Sequence, residues 1–364
     1  MTNRKNIKVG ITIGDVNGIG PEIIIKALRD ERILSSFTPV IYGAQDAINH
    51  YRQKLEYEEV EAFLAQNTET VKANKINIIN VVVADVKIEE GKESIVAGKI
   101  AVAALERAAN DIATGLIDVV VTAPISKSVC QKAGFNFPGH TEYFSSLSNG
   151  SEALMVLCST TMKIALVTTH ISLKEVPGSI DKAKIISKAK TFDQSLKKDF
   201  GLRKPKIAVL SLNPHSGEDG KMGSEEKEII TPAINELREQ GVLAFGPFPS
   251  DGFFGSKSRD NYDGVLSMYH DQGLTVFKAL SFDEGVNYSS GIPIVRTSPD
   301  HGTAYDIAGK GIASETSMRN AIYMAIDIFR SRTMNKDLNS NTLAAKNTQD
   351  TDKEVRKNKG LKKN

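Results

Sequence analysis

Six histidines occur in the 364 residues, and three of them close runs that read as strands: Ile164-Ala-Leu-Val-Thr-Thr-His170, Ile207-Ala-Val-Leu-Ser-Leu-Asn-Pro-His215 and Val265-Leu-Ser-Met-Tyr-His270. In a parallel α/β sheet the C-terminal strand ends face the ligand crevice, so residues far apart in sequence are delivered to one rim. Three neutral imidazoles with an open fourth position suit a catalytic Zn²⁺, and Co²⁺, Mn²⁺ or Mg²⁺ are also compatible. A lone histidine is more often a structural residue or a loop donor. The shared placement favours ligands, while spacing alone leaves open whether the three converge.

Two glycine-containing turns lead into helices. Ile13-Gly-Asp-Val-Asn-Gly-Ile-Gly-Pro-Glu22 permits tight turning and a helix N-terminus that attracts anions, yet its spacing matches neither GxGxxG nor GxxxxGK[ST]. A plain βα turn explains it equally well. In Gly134-Phe-Asn-Phe-Pro-Gly-His-Thr-Glu142, Thr141 is expected to cap a helix, with His140 facing the same crevice. Near the third histidine, Lys278, Asn287 and Arg296 supply two cations and an amide that suit a phosphate and a carboxylate, with solvated surface positions as the alternative.

Elements must position these groups. Strands are expected at 7–13, 38–42, 76–83, 117–122, 163–168, 206–211 and 265–268, with a last one at 293–296. Helices are expected at 21–30, 98–114 and 314–332. The alternation implies an α/β fold with a largely parallel sheet. Residues 333–364 are rich in Asn, Lys, Thr and Asp and lack aromatics, which predicts a disordered polar tail. Its cluster Arg356, Lys357, Lys359, Lys362 and Lys363 is read as solvated.

Composition narrows the function. Hydrophobic residues at 40% and charged residues at 25% describe a globular chain, and a net charge of +2 gives no case for nucleic acid or a membrane surface as partner. Cys130 and Cys158 form no CxxC pair, and Cys158 ends the apolar run Ala153-Leu-Met-Val-Leu-Cys158, so it is expected to be buried. Neither a signal-peptide-like stretch nor an apolar run of membrane-spanning length occurs, so a cytoplasmic location is expected.

Six motifs occur in order: Gly14-Asp15 with Gly18-Ile-Gly-Pro-Glu22, Thr122-Ala-Pro-Ile-Ser-Lys127, Gly139-His-Thr-Glu142, Asn213-Pro-His-Ser-Gly-Glu218, Tyr269-His-Asp-Gln-Gly-Leu274 and Arg296-Thr-Ser-Pro-Asp-His-Gly-Thr-Ala304. Together they closely resemble the 4-hydroxythreonine-4-phosphate dehydrogenase family of pyridoxal phosphate biosynthesis, over about residues 7–330. His301-Gly-Thr-Ala-Tyr-Asp-Ile-Ala-Gly-Lys-Gly-Ile-Ala313 also resembles the cofactor loop of isopropylmalate dehydrogenases. The resemblance implies an isocitrate/isopropylmalate dehydrogenase-like fold of two α/β lobes around a central cleft: 1–132 plus 303–332, and 133–302 with the metal and substrate site. It also implies a homodimer whose active sites are shared between subunits.

By the same resemblance, His170, His215 and His270 are the ligands of a divalent metal (Zn, Mg or Co). His140, Thr141, Lys278, Asn287 and Arg296 contact substrate, and Gly302, Thr303 and Asp306 bind NAD or NADP. The implied reaction is oxidation of 4-phosphooxy-L-threonine with decarboxylation to 3-amino-2-oxopropyl phosphate, with Lys127 and Asp251 as alternative bases. The chain departs from the family pattern at Val16-Asn17, where Pro-Ala is frequent, at Gly252, where a hydroxyl residue is usual, and at Ser216, where alanine is common. These changes spare the metal set and leave the substrate open among phosphorylated hydroxy acids. The alternatives are a dehydrogenase of threonate or erythronate 4-phosphate, a zinc-dependent phosphate-ester hydrolase, and a non-enzymatic metal-binding protein.

Overall fold

The computed structural model describes residues 6–81, 86–148 and 150–340. Twelve strands form one sheet: β1 (Ile7–Thr12), β2 (Phe37–Gly43), β3 (Ala62–Ala65), β4 (Ile76–Asn80), β5 (Val119–Thr122), β6 (Leu154–Cys158), β7 (Lys163–Leu166), β8 (Lys206–Leu210), β9 (Leu243–Phe248), β10 (Gly264–Ser267), β11 (Val286–Ser290) and β12 (Arg296–Pro299). Their order is β3-β4-β2-β1-β5-β12-β11-β6-β7-β10-β8-β9. The α/β class is as expected, and the central strands lie within a few residues of their expected positions. β2 and β5 are buried throughout, as strands covered by helices on both faces must be, and this accounts for their mostly apolar residues.

The sheet is less uniformly parallel than expected. The six strands from β3 to β12 are parallel, and so are the four from β7 to β9. Between them β12–β11, β11–β6 and β6–β7 are antiparallel, so the two blocks run in opposite directions. Local apolar pattern encodes burial but not strand direction, which explains the difference. The strands that precede the three histidines, β7, β10 and β8, are parallel immediate neighbours.

Three expectations are corrected. The last strand is Arg296–Pro299 rather than 293–296, because pairing with β5 begins only at Arg296. The helix after Gly139 is capped by that glycine, so Thr141 lies inside its first turn. The final helix runs Thr316–Ser340 and absorbs the first part of the expected tail. There Ser331 Oγ and Asn335 Nδ2 donate to the Lys198 carbonyl at 2.8 and 2.9 Å, satisfying the C-terminal end of helix Lys182–Lys198. Residues 341–364, with the basic cluster, lie outside the described residues. Cys130 and Cys158 are buried and unpaired, and no helix among the described residues is long and apolar enough to cross a membrane.

Candidate active site

Arg296 opens the central strand β12, is 2% exposed, and organises the site. Its Nη2 and Nε donate to Thr122 Oγ1 at 2.6 and 3.1 Å, and its Nη1 donates to Ser289 Oγ at 3.3 Å and Thr141 Oγ1 at 3.4 Å. Nη2 also lies 3.2 Å from His140 Nδ1. Burial lowers the guanidinium to about 10, opposed by the charge of Glu142, so it stays cationic at neutral pH. Four neutral partners satisfy its donors without neutralising it, which leaves a positive charge for an anion.

Burial, with Arg296 and Lys127 adding to it, holds the His140 imidazole well below its ordinary range. Since a guanidinium only donates, the neutral ring must present its Nδ1 lone pair to Arg296 and carry its proton on Nε2. That Nε2 is buried without a partner among the described residues, and so is Asn287 Oδ1. Both line one cavity of about 540 Å³, together with Arg296, Thr141, Lys278 and His170. Orphaned buried polar atoms are uncommon in native proteins and here fit a polar ligand.

Lys278 approaches Asp300, its Nζ lying 3.2 Å from the carbonyl and 3.6 Å from Oδ2. Burial raises the Asp300 carboxyl and Lys278 partly offsets this. Beside it, His301 Nδ1 meets the Gly302 carbonyl at 3.2 Å while its buried Nε2 has no partner among the described residues.

Two of the three strand-end histidines meet. The rings of His170 and His270 have centroids 5.6 Å apart, tilted by 45°. His270 Nδ1 lies 2.7 Å from Asp271 Oδ1, an arrangement that leaves Nε2 as the free nitrogen. Burial and the Lys127 charge lower the His170 imidazole, favouring the neutral form a metal requires.

His215 is exposed and is not among the residues that line the cavity. It begins five successive residues of left-handed backbone, with φ of 52° at His215 itself. Such a run persists only where its surroundings fix it. Here the buried Glu226 carboxylate accepts from the backbone N–H of Leu212 and Asn213 at 2.8 and 2.7 Å, and Ser216 Oγ donates to the Pro247 carbonyl at 3.2 Å. Among the described residues no group of three His, Cys, Asp or Glu is placed to hold a metal.

The remaining expected residues divide. Lys127 and Gly302 line the cavity, whereas Asp251 does not and is exposed on helix Ser250–Gly255. Thr303 packs on the first loop, its carbonyl accepting from Ile19 N at 3.0 Å, and Asp306 is exposed. Buried Asn17 exchanges three hydrogen bonds with the segment 89–92: its Nδ2 donates to the Lys92 carbonyl at 2.9 Å, its Oδ1 accepts from Glu89 N at 2.9 Å, and its carbonyl accepts from Gly91 N at 2.8 Å. Tyr305 closes this corner with a 2.6 Å hydrogen bond to Asp15 Oδ2.

Glu142, Glu152, Lys184, Lys188, Asp300 and His301 also line the cavity and were not anticipated as site residues. Lys184 and Lys188 stand four apart on one helix, and that shared face was a readable signal. Glu142 and His301 lay inside motifs already noted.

The sequence profile of the family described as pyridoxal phosphate biosynthetic protein PdxA matches residues 35–325. A Bacteroides thetaiotaomicron protein named 4-hydroxythreonine-4-phosphate dehydrogenase is 49% identical over 93% of each chain. An Oceanobacillus iheyensis protein provisionally named a D-threonate 4-phosphate dehydrogenase is 37% identical over 88% of this chain and 97% of its own. The crystal structure of the Klebsiella pneumoniae 4-hydroxythreonine-4-phosphate dehydrogenase superposes with a TM-score of 0.79 at 34% identity, covering 90% of this chain and 99% of that one.

Proposed function

The chain belongs to the PdxA family of pyridoxal phosphate biosynthetic proteins, and we propose that it catalyses NAD(P)-dependent oxidation of 4-phosphooxy-L-threonine, followed by decarboxylation to 3-amino-2-oxopropyl phosphate. One observation carries this reading: a buried guanidinium, an unpartnered imidazole N–H and an unpartnered amide oxygen open onto one cavity bordered by His170. Arg296 and Lys278 hold the anionic ends of the substrate, and His140 Nε2 donates to an anion oxygen. Asn287 Oδ1 accepts from a hydroxyl or an ammonium.

The carbinol hydrogen leaves as hydride to the nicotinamide and the hydroxyl proton goes to a base. Lys127, on the cavity wall, is better placed for that proton than Asp251. Loss of CO₂ from the resulting β-keto acid leaves a carbon that takes up a proton. The donor set fits a divalent ion (Zn, Mg or Co) held by His170, His270 and His215, which when bound lowers the pKa of an alcohol and stabilises an enolate. Because no three such groups are placed together to hold a metal among the described residues of one chain, we assign His215 to the partner in a homodimer whose subunits complete each other's sites. The exposed Ile171 and Leu173 next to His170 suit such an interface. Gly302, Thr303 and Asp306 belong to the coenzyme side.

We retain the division into lobes 1–132 plus 303–332 and 133–302, and a cytoplasmic place of action. The Oceanobacillus relative favours one second reading, oxidation of threonate or erythronate 4-phosphate. Measuring reduced coenzyme with each of these substrates, with and without a chelator, decides between them. No reduced coenzyme with any of them would end the dehydrogenase assignment, and phosphate release in its place would favour the hydrolase.

A further inference from the structure

A second cavity, of about 390 Å³, is walled by the final helix and the turn between β6 and β7. Its floor is a row across three strands. Lys163 on β7 pairs with Cys158 on β6, and Cys158 pairs with Val286 on β11, so their side chains share one face. Phe200, with Tyr323 and Met324 of the final helix, adds apolar walls. The volume falls in the range of small-molecule sites.

Four charged side chains line this slot, and two have counter-ions. Asp199 is held by Arg332 at 2.7 Å, and Asp327 lies 3.6 Å from Arg330. The other two have no ion-pair partner among the described residues. Lys163 Nζ sits 5.0 Å from the centre of the Phe200 ring, and Glu284 accepts from Thr160 Oγ1 at 3.1 Å. One uncommitted charge of each sign beside an apolar floor suits a small zwitterion with an apolar body.

The floor is one peptide away from the substrate cavity. Successive strand residues face opposite sides, so Val286 lines the slot and Asn287 the other cavity. The Glu284 carbonyl accepts from Asn320 Nδ2 at 3.1 Å. The Gly285 carbonyl accepts from Ser317 Oγ at 2.5 Å and from the backbone N–H of Asp300, the partner of Lys278, at 3.3 Å.

We propose that this slot is a second ligand site, for an apolar α-amino acid. The carboxylate sits on Lys163, the ammonium on Glu284, and the side chain against Phe200, Val286 and Met324. Occupancy is transmitted along β11 to the substrate anchors Asn287 and Lys278. That coupling, unlike the binding, rests on the dehydrogenase reading above.

Calorimetry with L-phenylalanine and L-leucine should give a Kd of about 1 mM or tighter for at least one of them. Phenethylamine and phenylacetate each lack one charge and should bind about tenfold or more weakly than L-phenylalanine. Lys163→Met and Glu284→Gln should weaken the amino acid by about tenfold while leaving kcat/KM in its absence unchanged. An unchanged melting temperature confirms that both variants are folded. A saturating amino acid should shift the calorimetric Kd for 4-phosphooxy-L-threonine by about fivefold or more, and the phosphorylated substrate should shift the amino acid Kd by the same factor. No binding at about 10 mM overturns the proposal, as does a single-charge analogue that binds equally well. Mutually exclusive binding that both variants leave intact would put the amino acid in the substrate cavity and also overturn it. An unshifted substrate Kd overturns the coupling. If 4-phosphooxy-L-threonine neither binds nor turns over, the dehydrogenase reading fails, and the affinities of the two variants still judge the slot.

Discussion

The imidazoles of His170 and His270 face each other with centroids 5.6 Å apart, although one follows β7 and the other begins the helix after β10. Hydrogen bonding between β7 and β10 brings them together, pairing Ile164 with Val265 and Leu166 with Ser267. A metal centre built on this pair would need further ligands, and the exposed His215 is the one proposed above.

Replacing any of His170, His215 or His270 with alanine should therefore abolish bound metal and coenzyme reduction while the chain stays folded. Mixing inactive His170→Ala and His215→Ala chains should restore activity if the ligands come from different subunits. Random reassociation then regenerates about a quarter of the sites. Elemental analysis and the activity of the mixture check both points, and no recovery on mixing would place all ligands in one chain.

Arg296→Ala removes a buried cation and leaves Thr122 and Thr141 without its donors. The expected result is a loss of about a hundredfold or more in kcat/KM, mainly as a raised KM for the phosphorylated substrate. Arg296→Lys should recover little of it, since one ammonium cannot span the partners of a planar fork. An unchanged KM removes Arg296 from the anchoring set.

Stability should fall on mild acidification. Burial holds His140 neutral in the folded chain, whereas the unfolded chain titrates near its ordinary 6.5. Below that value the unfolded state binds more protons, so stability is lost as pH falls, and above it this contribution is constant. His170 and His301 are shifted in the same direction. Between about pH 7.5 and about pH 5.5, His140 alone accounts for up to about 1.4 kcal/mol. The urea midpoint measured at both values checks this, and His140→Gln should flatten the dependence. Equal midpoints would contradict a neutral, buried His140.

Arg332 should matter for stability far from the chemistry. Its Nε donates to the buried Asp199 at 2.7 Å and its Nη2 to Tyr288 OH at 2.9 Å, while Ser195 Oγ and Tyr288 OH also donate to Asp199 at 2.6 Å. Arg332→Ala leaves that carboxylate buried without its cation, at a cost of about 3 kcal/mol or more. Denaturant unfolding measures it, and a loss below about 1 kcal/mol would show that the network tolerates the gap.

Much of this architecture can be read from the chain because burial leaves a local imprint. β1, β2 and β5 carry long apolar runs, and His170, His215 and His270 follow strands that prove to be neighbours. What stays hidden depends on distant partners. Whether Leu154–Cys158 runs with or against β11 is decided by the cross-strand ladder, and its apolar pattern suits either. Thr141 has the chemistry of a cap, yet its hydroxyl accepts from Arg296, so a glycine takes the capping position. The charges on Glu152 and Asp300 are obvious; that they pair with Lys188 and Lys278 emerges only from the fold.

The corner where Asn17, Gly91 and Tyr305 meet has a consequence for the order of assembly. The bond from Tyr305 to Asp15 spans 290 residues, and the segment 89–92 is stitched to Asn17 across 72 to 75 residues. Closing so long a loop contributes nothing until both ends exist. A nascent polypeptide leaving the ribosome thus holds its first loop unfinished until Tyr305 emerges, and this corner becomes one of the last parts of the chain to mature.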